Sequence, residues 1–336
     1  MGISAMQTSN LDELAESLFM LLTLIAMIPK YLTIIGKRKE IQKLIVLLDS
    51  DSLIQDGDDD VKKMLNDSIK IGKLNTRFFL SVSLSTVVLI YALPFMDITQ
   101  RRLPLPAYYG VDHTLFPWFE ILYLYQTLGM TVHCMMNVTM DSFACGILAV
   151  AGGQLDVLAH QMRQLGTTNS NIKEEHVKIE KCVNLHLVID RMLKNVESIF
   201  RVSWFVQFLL SGVVICITGF QMSTISPLKN PTKFFMLLCY QVAMTFMVFM
   251  SCRFGNEIIL KSLNLRDAAF SCNWPDLDQD FRKKIIIFME STKRPIKLYA
   301  GKMLELSLGT FTSVINSSYR YYAVLNHMKS LENYLE

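Results

Sequence analysis

The sequence predicts an all-α protein that crosses a membrane several times, and three observations support this prediction. Of its 336 residues, 51% are hydrophobic and only 19% are charged, whereas ordinary soluble domains carry about 25% charged residues. The mean hydropathy is +0.31, and the apolar residues are concentrated in six long segments. The net charge is only +3, which argues against a nucleic-acid partner, since such proteins usually carry a strongly basic surface.

The six apolar segments are each long enough, or nearly so, to cross about 30 Å of hydrocarbon as a helix. Spans A to F cover about residues 14–35, 78–96, 118–138, 202–220, 234–252 and 300–325. None shows the period-two alternation of a membrane β-barrel. Because lipid offers the backbone no hydrogen-bond partners, we expect all six to be helices. Amphipathic segments between them, such as residues 172–200, predict a helical bundle beneath the membrane.

The Lys and Arg residues are distributed unequally among the loops, and this predicts the orientation of the chain. The loops that follow spans A, C and E contain 24 of these residues, whereas the other loops and the two ends contain five. Cytoplasmic loops of membrane proteins are enriched in Lys and Arg. We therefore expect those three loops in the cytoplasm and both termini outside the cell.

No catalytic or nucleotide-binding motif is found, and the six His residues do not have metal-ligand spacing. Asp56, Asp58 and Asp60 loosely resemble a calcium-binding loop, but the downstream Glu is missing, so a solvated loop is favoured. The sequence therefore predicts neither an enzyme nor a bound cofactor or metal.

Span F is the most polar of the six. It carries the charged residues Glu305 and Arg320, which stand out because charges within the spans are otherwise few. It also carries several hydroxyl and amide residues (Ser307, Thr310, Thr312, Ser313, Asn316, Ser317, Ser318 and Asn326). Such a helix is either buried in the bundle or lines a water-filled path, and the second interpretation is favoured because so many small polar groups need partners in lipid.

Several segments resemble the insect odorant receptor family, and the resemblance covers nearly the whole chain. It is strongest in the last 80 residues, which resemble the family's C-terminal signature. The matching positions include Gly255, Trp274, Pro295, Gly301, Tyr319 and Tyr322. The segment PWFEILYLYQ, at Pro117 to Gln126 in this sequence, resembles the entry to the family's fourth span.

The resemblance implies a seven-span protein, whereas only six spans are found. We therefore expect that the family's first span is missing and that this chain is a short form. The expected division is a transmembrane bundle with the ligand pocket at 1–252, a cytoplasmic anchor at 253–299, and a pore-lining last span with an extracellular tail at 300–336.

The resemblance also implies a function: an odorant-gated, nonselective cation channel that assembles as a heterotetramer with an odorant co-receptor subunit. The expected location is the plasma membrane of olfactory neuron dendrites. The gate is expected near the outer end of span F, at Val324, His327 and Met328. A small volatile ligand is expected in the outer half of the membrane, where depth selects Val88, Tyr91, Phe95, Tyr123, Gln126 and Met130.

Two alternatives remain open at this point. One is a chemoreceptor of the G-protein-coupled type, which requires a cytoplasmic C-terminus and so conflicts with the loop charges. The other is a truncated receptor fragment that does not function.

Overall fold

A computed structural model describes residues 11–48, 59–96, 103–105, 109, 117–167 and 172–335. The helices are α1 (Leu11–Gly36), α2 (Arg38–Leu48), α3 (Asp59–Met96), α4 (Trp118–Arg163), α5 (Ile172–Thr224), α6 (Pro231–Phe270), α7 (Gln279–Ser291) and α8 (Leu308–Leu335). Two short strands, β1 (Tyr299–Ala300) and β2 (Leu304–Glu305), pair in antiparallel fashion before α8. Of the three Asp residues that resemble a calcium-binding loop, Asp56 and Asp58 fall outside the described residues, and Asp60 lies in the first turn of α3.

The predicted all-α membrane bundle is confirmed. Among the described residues, five helices are long and apolar enough to cross a membrane, namely α1, α3, α4, α5 and α6. They contain spans A to E. The last helix, α8, is not among them by composition, although its 28 residues give a length of about 42 Å at 1.5 Å per residue.

The helices α4, α5 and α6 are much longer than a membrane requires. They contain 46, 53 and 40 residues, whereas about 20 residues suffice to cross the hydrocarbon. The first half of α5 buries Ile179, Cys182, Ile189 and Val196, a spacing that keeps one helical face against its neighbours. Each of the three helices therefore extends beyond its apolar span into a second helical layer.

The core of the bundle forms where α4 packs against α3 and α6, while α1 lies on α5. Small residues in α4 allow α3 to approach closely. A Cβ atom added at Gly153 would lie 2.9 Å from the Ser68 hydroxyl oxygen, so this position has no room for a side chain. The last helix packs against α5 and α6.

The predicted start of span F at Ala300 was wrong, because the helix begins at Leu308. Gly301 and Lys302 adopt φ values of 63° and 66°, in the left-handed region that turns the chain back instead of continuing a helix. The resulting hairpin is held by a hydrogen bond from the Leu306 amide to the Leu298 carbonyl at 2.8 Å. Glu305 is therefore not in the last helix, and its carboxylate pairs with Lys297 at 2.9 Å.

The expected division of the chain at residue 252 falls inside α6, which runs without interruption to Phe270. Span E and the following 18 residues are thus one continuous helix. The hairpin at residues 299–305 belongs with the connection before α8, not with α8 itself.

Candidate functional site

Four of the six predicted ligand-binding residues lie together where α3 meets α4. The Tyr91 hydroxyl on α3 lies 2.5 Å from both the Thr127 carbonyl and the Thr131 hydroxyl on α4. The Tyr123 hydroxyl donates a hydrogen bond to the Tyr91 carbonyl at 3.1 Å. These bonds hold the C-terminal part of α3 against the N-terminal part of α4.

Gln126 is buried, with 4% of its surface exposed. Both the oxygen and the nitrogen of its side-chain amide are hydrogen-bonded. The side chain accepts a hydrogen bond from the Leu105 amide at 2.9 Å and donates to the Leu105 carbonyl at 3.1 Å. It also donates to the Tyr109 hydroxyl at 2.9 Å. Gln126 therefore fastens the connection between α3 and α4 onto the bundle.

The remaining predicted ligand residues differ in position. Met130 packs against a small buried cluster formed by Ile90, Met236 and Leu237. Val88 is 61% exposed, so the structure does not bring it to the group formed by the other four. Phe95 lies on the last turn of α3, and its side chain falls outside the described residues.

A polar contact between α1 and α6 was not singled out from the sequence. The Thr23 hydroxyl is hydrogen-bonded to the Tyr240 hydroxyl, and the Tyr240 ring packs edge-on against Phe19 at 5.3 Å. The sequence offers no signal for this pairing, because the two hydroxyls are separated by more than 200 residues.

A buried ion pair was also missed, and the sequence-based statement that Glu305 and Arg320 are the notable charges of the spans was wrong. The Lys30 ammonium on α1 lies 2.8 Å from both carboxylate oxygens of Asp141 on α4 and 2.6 Å from the Asn137 side-chain oxygen. Lys30 is 3% exposed. The available signal was a Lys inside the apolar segment of span A.

The polar residues around this ion pair connect further helices. The Asn137 amide contacts the Met247 sulfur on α6 at 3.9 Å, and the Thr33 hydroxyl lies 3.0 Å from that of Ser203 on α5. Since α1 otherwise presents mainly apolar side chains, the bonds of Lys30 and Thr33 fix both its depth and its rotation against the bundle.

The last helix has two distinct faces. Its packed face includes Phe311, Ile315 and Ser318, and the Ser318 hydroxyl donates to the Gly212 carbonyl on α5 at 2.9 Å. The opposite face is exposed and carries, at helical spacing, Ser313, Asn316, Arg320, Val324 and His327. The predicted gate residues Val324, His327 and Met328 are all exposed, the first by 57% and the last by 59%.

The exposed face of α8 contrasts with the exposed faces of the other helices. On α4 the exposed side chains include Leu124, Leu128 and Val132, and on α5 they include Leu209 and Val213. Such aliphatic surfaces suit contact with lipid tails. The Thr312, Ser313 and Ser317 hydroxyls of α8 donate to carbonyl oxygens one turn earlier in the same helix. The exposed amide of Asn316 and guanidinium of Arg320 instead need water or polar partners.

The residues of the predicted anchor lie where the N-terminal part of α5, the C-terminal part of α6 and α7 come together. Lys284 on α7 pairs with Glu180 on α5 at 2.8 Å, and His176 pairs with Asp278 at 3.1 Å. Desolvation raises the pKa of the Asp278 carboxyl, but the hydrogen bond and charge of His176 and the backbone hydrogen bonds of Asp280 and Phe281 together outweigh it, so the net pKa is below its ordinary value. These contacts hold α7 on α5.

The family-motif positions have different structural roles. Gly255 lets the hairpin approach α6, because an added Cβ atom would lie 2.4 Å from Leu306. The Trp274 indole donates to the Phe270 carbonyl at 3.3 Å. Gly301 occupies the hairpin turn against Phe205, and the rings of Tyr319 and Tyr322 on α8 lie 6.2 Å apart. Pro295 precedes the hairpin in the connection from α7.

The fold and these sites define a multi-pass helical membrane protein. Residues 10–319 match the sequence model of the family described as 7tm Odorant receptor. The chain therefore belongs to the 7tm odorant receptor family, and its role lies in olfaction.

Curated relatives and solved structures agree with this assignment. Odorant receptor 2a of Drosophila melanogaster is 26% identical over 339 residues, which cover 96% of this chain and 84% of the relative. Odorant receptor Or1 of Anopheles gambiae is 28% identical over 282 residues, which cover 75% of this chain and 66% of the relative. The fold matches the structure of the insect olfactory receptor OR5 from Machilis hrabei in complex with eugenol, with a TM-score of 0.87 and 15% sequence identity. The match covers 97% of this chain and 84% of the Machilis chain.

Proposed function

We propose that this odorant receptor is a subunit of an odorant-gated, nonselective cation channel whose pore is lined by α8. The observation that carries the proposal is the face of α8 that bears Asn316, Arg320 and His327, which is exposed in the single subunit that the structure describes. Around a symmetry axis, four such faces would enclose a water-filled path. The partner subunits are an odorant co-receptor, so that the assembly is a heterotetramer.

Val324, His327 and Met328 are the proposed gate. Val324 and Met328 lie one turn apart on the exposed side of α8, and a ring of such side chains repels water when it is narrow. Arg320 lies one turn before Val324 on the same face. Separation of the ring by helix movement would let the constriction fill with water and conduct ions.

The proposed odorant pocket lies in the outer half of the bundle between α1, α3, α4 and α6. Tyr91, Tyr123, Gln126 and Met130 are the contacts that depth and clustering favour, with Val88 and Phe95 as further candidates. A volatile, mostly apolar ligand would gain about 25 cal/mol for each Å² of apolar surface that it buries. The Machilis receptor solved in complex with eugenol supports a small organic ligand for this fold.

Gating is proposed to follow a shift in population between closed and open arrangements. A ligand can open the pore only if it binds the open arrangement more tightly than the closed one. Because α6 contacts both the pocket region and α8, it is the element through which ligand binding would favour the open pore.

The proposed orientation has cytoplasmic loops after spans A, C and E and an extracellular C-terminus, in the plasma membrane of olfactory neuron dendrites. In this arrangement residues 1–252 hold the pocket and 253–299 the anchor, and the pore helix begins after the hairpin, at Leu308. An epitope placed after Glu336 should bind antibody on intact cells. Binding only after permeabilisation would favour a receptor of the G-protein-coupled type.

The channel function is tested by voltage clamp of cells that express the chain together with the co-receptor. We expect at least one member of a broad odorant panel to evoke an inward cation current that is absent with the co-receptor alone. If the chain reaches the cell surface and no odorant evokes a current beyond that of the co-receptor, the proposal is wrong.

A further inference from the structure

A groove between α3 and α4, at the end opposite the predicted odorant pocket, has no assigned role. Its volume is about 410 Å³, within the range of about 300–1,000 Å³ that is usual for ligand sites. Its lining consists almost entirely of apolar atoms, contributed by Leu48, Ile69, Gly72, Thr76, Phe143, Gly146, Ile147, Ala149 and Val150, with Lys73 and Arg77 at its edge.

The groove exists because α3 and α4 touch at one level and separate at the next. A Cβ atom added at Gly72 would contact the Ala149 Cβ atom at 3.6 Å, so the helices are in contact there. One turn away, a Cβ atom added at Gly146 would have no atom within 4 Å. The absence of a side chain at Gly146 therefore leaves the groove open.

Two basic side chains, Lys73 and Arg77, flank this apolar groove. They are four residues apart on α3 and thus lie on the same helical face, and both are exposed. Within the part of the chain that the structure describes, no carboxylate pairs with either of them. Their charges are available to an external anion.

The surface beside the groove is suited to lipid. Leu74, between the two basic residues, is 66% exposed, and Ile71 and Phe78 are also exposed. Residue 78 begins the apolar span B, so Lys73 and Arg77 lie at the level where the hydrocarbon ends. With the loop charges placing this end of α3 in the cytoplasm, the groove faces the inner leaflet, which carries the acidic lipids.

We propose that this groove binds one acidic phospholipid of the cytoplasmic leaflet, with an acyl chain against Gly146 and Phe143 and the phosphate between Lys73 and Arg77. Basic pockets between membrane helices on the cytoplasmic side are suited to anionic headgroups. A bound lipid would fill the space between α3 and α4 and support their inner ends. The site is independent of the odorant pocket and of ion conduction.

The test measures phospholipid retained by the full-length chain in mild detergent, by native mass spectrometry, with palmitoyl-oleoyl phosphatidylserine and the phosphatidylcholine of the same acyl chains as probes. We expect phosphatidylserine to be retained in preference to phosphatidylcholine. The Lys73→Gln/Arg77→Gln variant should weaken phosphatidylserine binding about thirtyfold, given the usual contribution of each basic residue near an anionic surface. The Lys62→Gln/Lys63→Gln variant, which removes the same charge from exposed positions on the same helix, should bind as the unmodified chain does.

A second variant, Gly146→Leu, adds an apolar side chain at a position where a Cβ atom meets nothing within 4 Å. It narrows the groove without changing charge, and it should also reduce phosphatidylserine binding. Gel filtration and the unfolding temperature report whether each variant folds. Equal retention of the two lipids by the unmodified chain would overturn the proposal, as would unchanged binding by Gly146→Leu. Displacement of phosphatidylserine by an equal concentration of palmitate would instead assign the groove to a free fatty acid and contradict the phospholipid. Because no current is measured, failure here is distinct from failure of the channel proposal.

Discussion

The ammonium of Lys30 lies 2.8 Å from both carboxylate oxygens of Asp141, and the pair is almost completely buried between α1 and α4. Asn137 supplies a third oxygen to the same ammonium. Ionised groups in such surroundings are tolerated only when they are paired and hydrogen-bonded. The pair therefore specifies one position of α1 against the bundle.

Removing one partner of this pair should be strongly destabilising. Lys30→Met leaves the Asp141 carboxylate buried without a counter-ion, and Asp141→Leu leaves the ammonium in the same condition. Each change should lower the free energy of unfolding by about 3–5 kcal/mol. The measurement is the thermal unfolding midpoint of the purified protein, together with the fraction of receptor that reaches the cell surface.

The double variant Lys30→Met/Asp141→Leu is the matched control, because it removes both charges and keeps apolar volume. We expect it to recover most of the stability lost in either single variant. If the losses of the two single variants simply add, the pair is not coupled in the way the structure indicates.

Gly255→Ala should separate the hairpin before α8 from α6. The new Cβ atom would lie 2.4 Å from both the Cβ atom and the carbonyl oxygen of Leu306, and backbone must move to relieve the overlap. Overpacking of this kind usually lowers the free energy of unfolding by about 1–3 kcal/mol. The unfolding midpoint of the purified protein should fall accordingly.

Gly129→Ala is the control for this change, since a Cβ atom there meets nothing within 4 Å and Ala favours helix more than Gly does. Its unfolding midpoint should be unchanged or higher. Equal midpoints for the two variants would show that Gly255 does not govern the docking of the hairpin.

Arg320→Gln should increase cation conductance if α8 lines a pore. Arg320 lies on the exposed face of α8, in line with Asn316 and Val324, and a fixed positive charge in a pore repels cations. The variant should raise single-channel conductance and calcium permeability relative to sodium. Arg320→Lys, which keeps the charge, should behave like the unmodified chain, and identical conductance in all three proteins would place Arg320 outside the ion path.

The contact between His176 and Asp278 should weaken in acid. The pKa of Asp278 is lower in the folded protein than its ordinary value of 3.8. The carboxylate therefore adds to the free energy of unfolding at pH values above the unfolded pKa. This contribution is lost as the pH falls through the lower, folded pKa. The charged and titratable neighbours are Lys284 and Glu180. Unfolding midpoints measured from pH 6 to pH 3 should fall less steeply in Asp278→Asn, and parallel profiles would contradict this assignment.

The membrane spans were predictable because apolar length is a local property that the sequence displays directly, and spans A to E all lie within described helices. The start of α8 was not predictable from hydropathy. It depends on positive φ angles at Gly301 and Lys302, and Lys302 is a residue type that seldom adopts them.

The polar contacts of the candidate site show the same limit. Tyr91, Tyr123 and Gln126 were selected by depth alone, and their clustering depends on the register between α3 and α4. The Lys30–Asp141 pair joins residues 111 positions apart, and no local pattern indicates which helices meet. Sequence shows that a charge within a span needs a partner, but only tertiary packing identifies it.

The central claim, that α8 lines the pore with Val324 at the gate, is tested most directly by cysteine modification under voltage clamp. An external, membrane-impermeant thiol reagent should reduce the odorant-evoked current of cells expressing Val324→Cys with the co-receptor. It should have no effect on the unmodified chain or on Ser318→Cys, whose side chain faces α5. If Val324→Cys is labelled and its current is unchanged, or if Ser318→Cys is inhibited to the same extent, α8 does not line the pore as proposed.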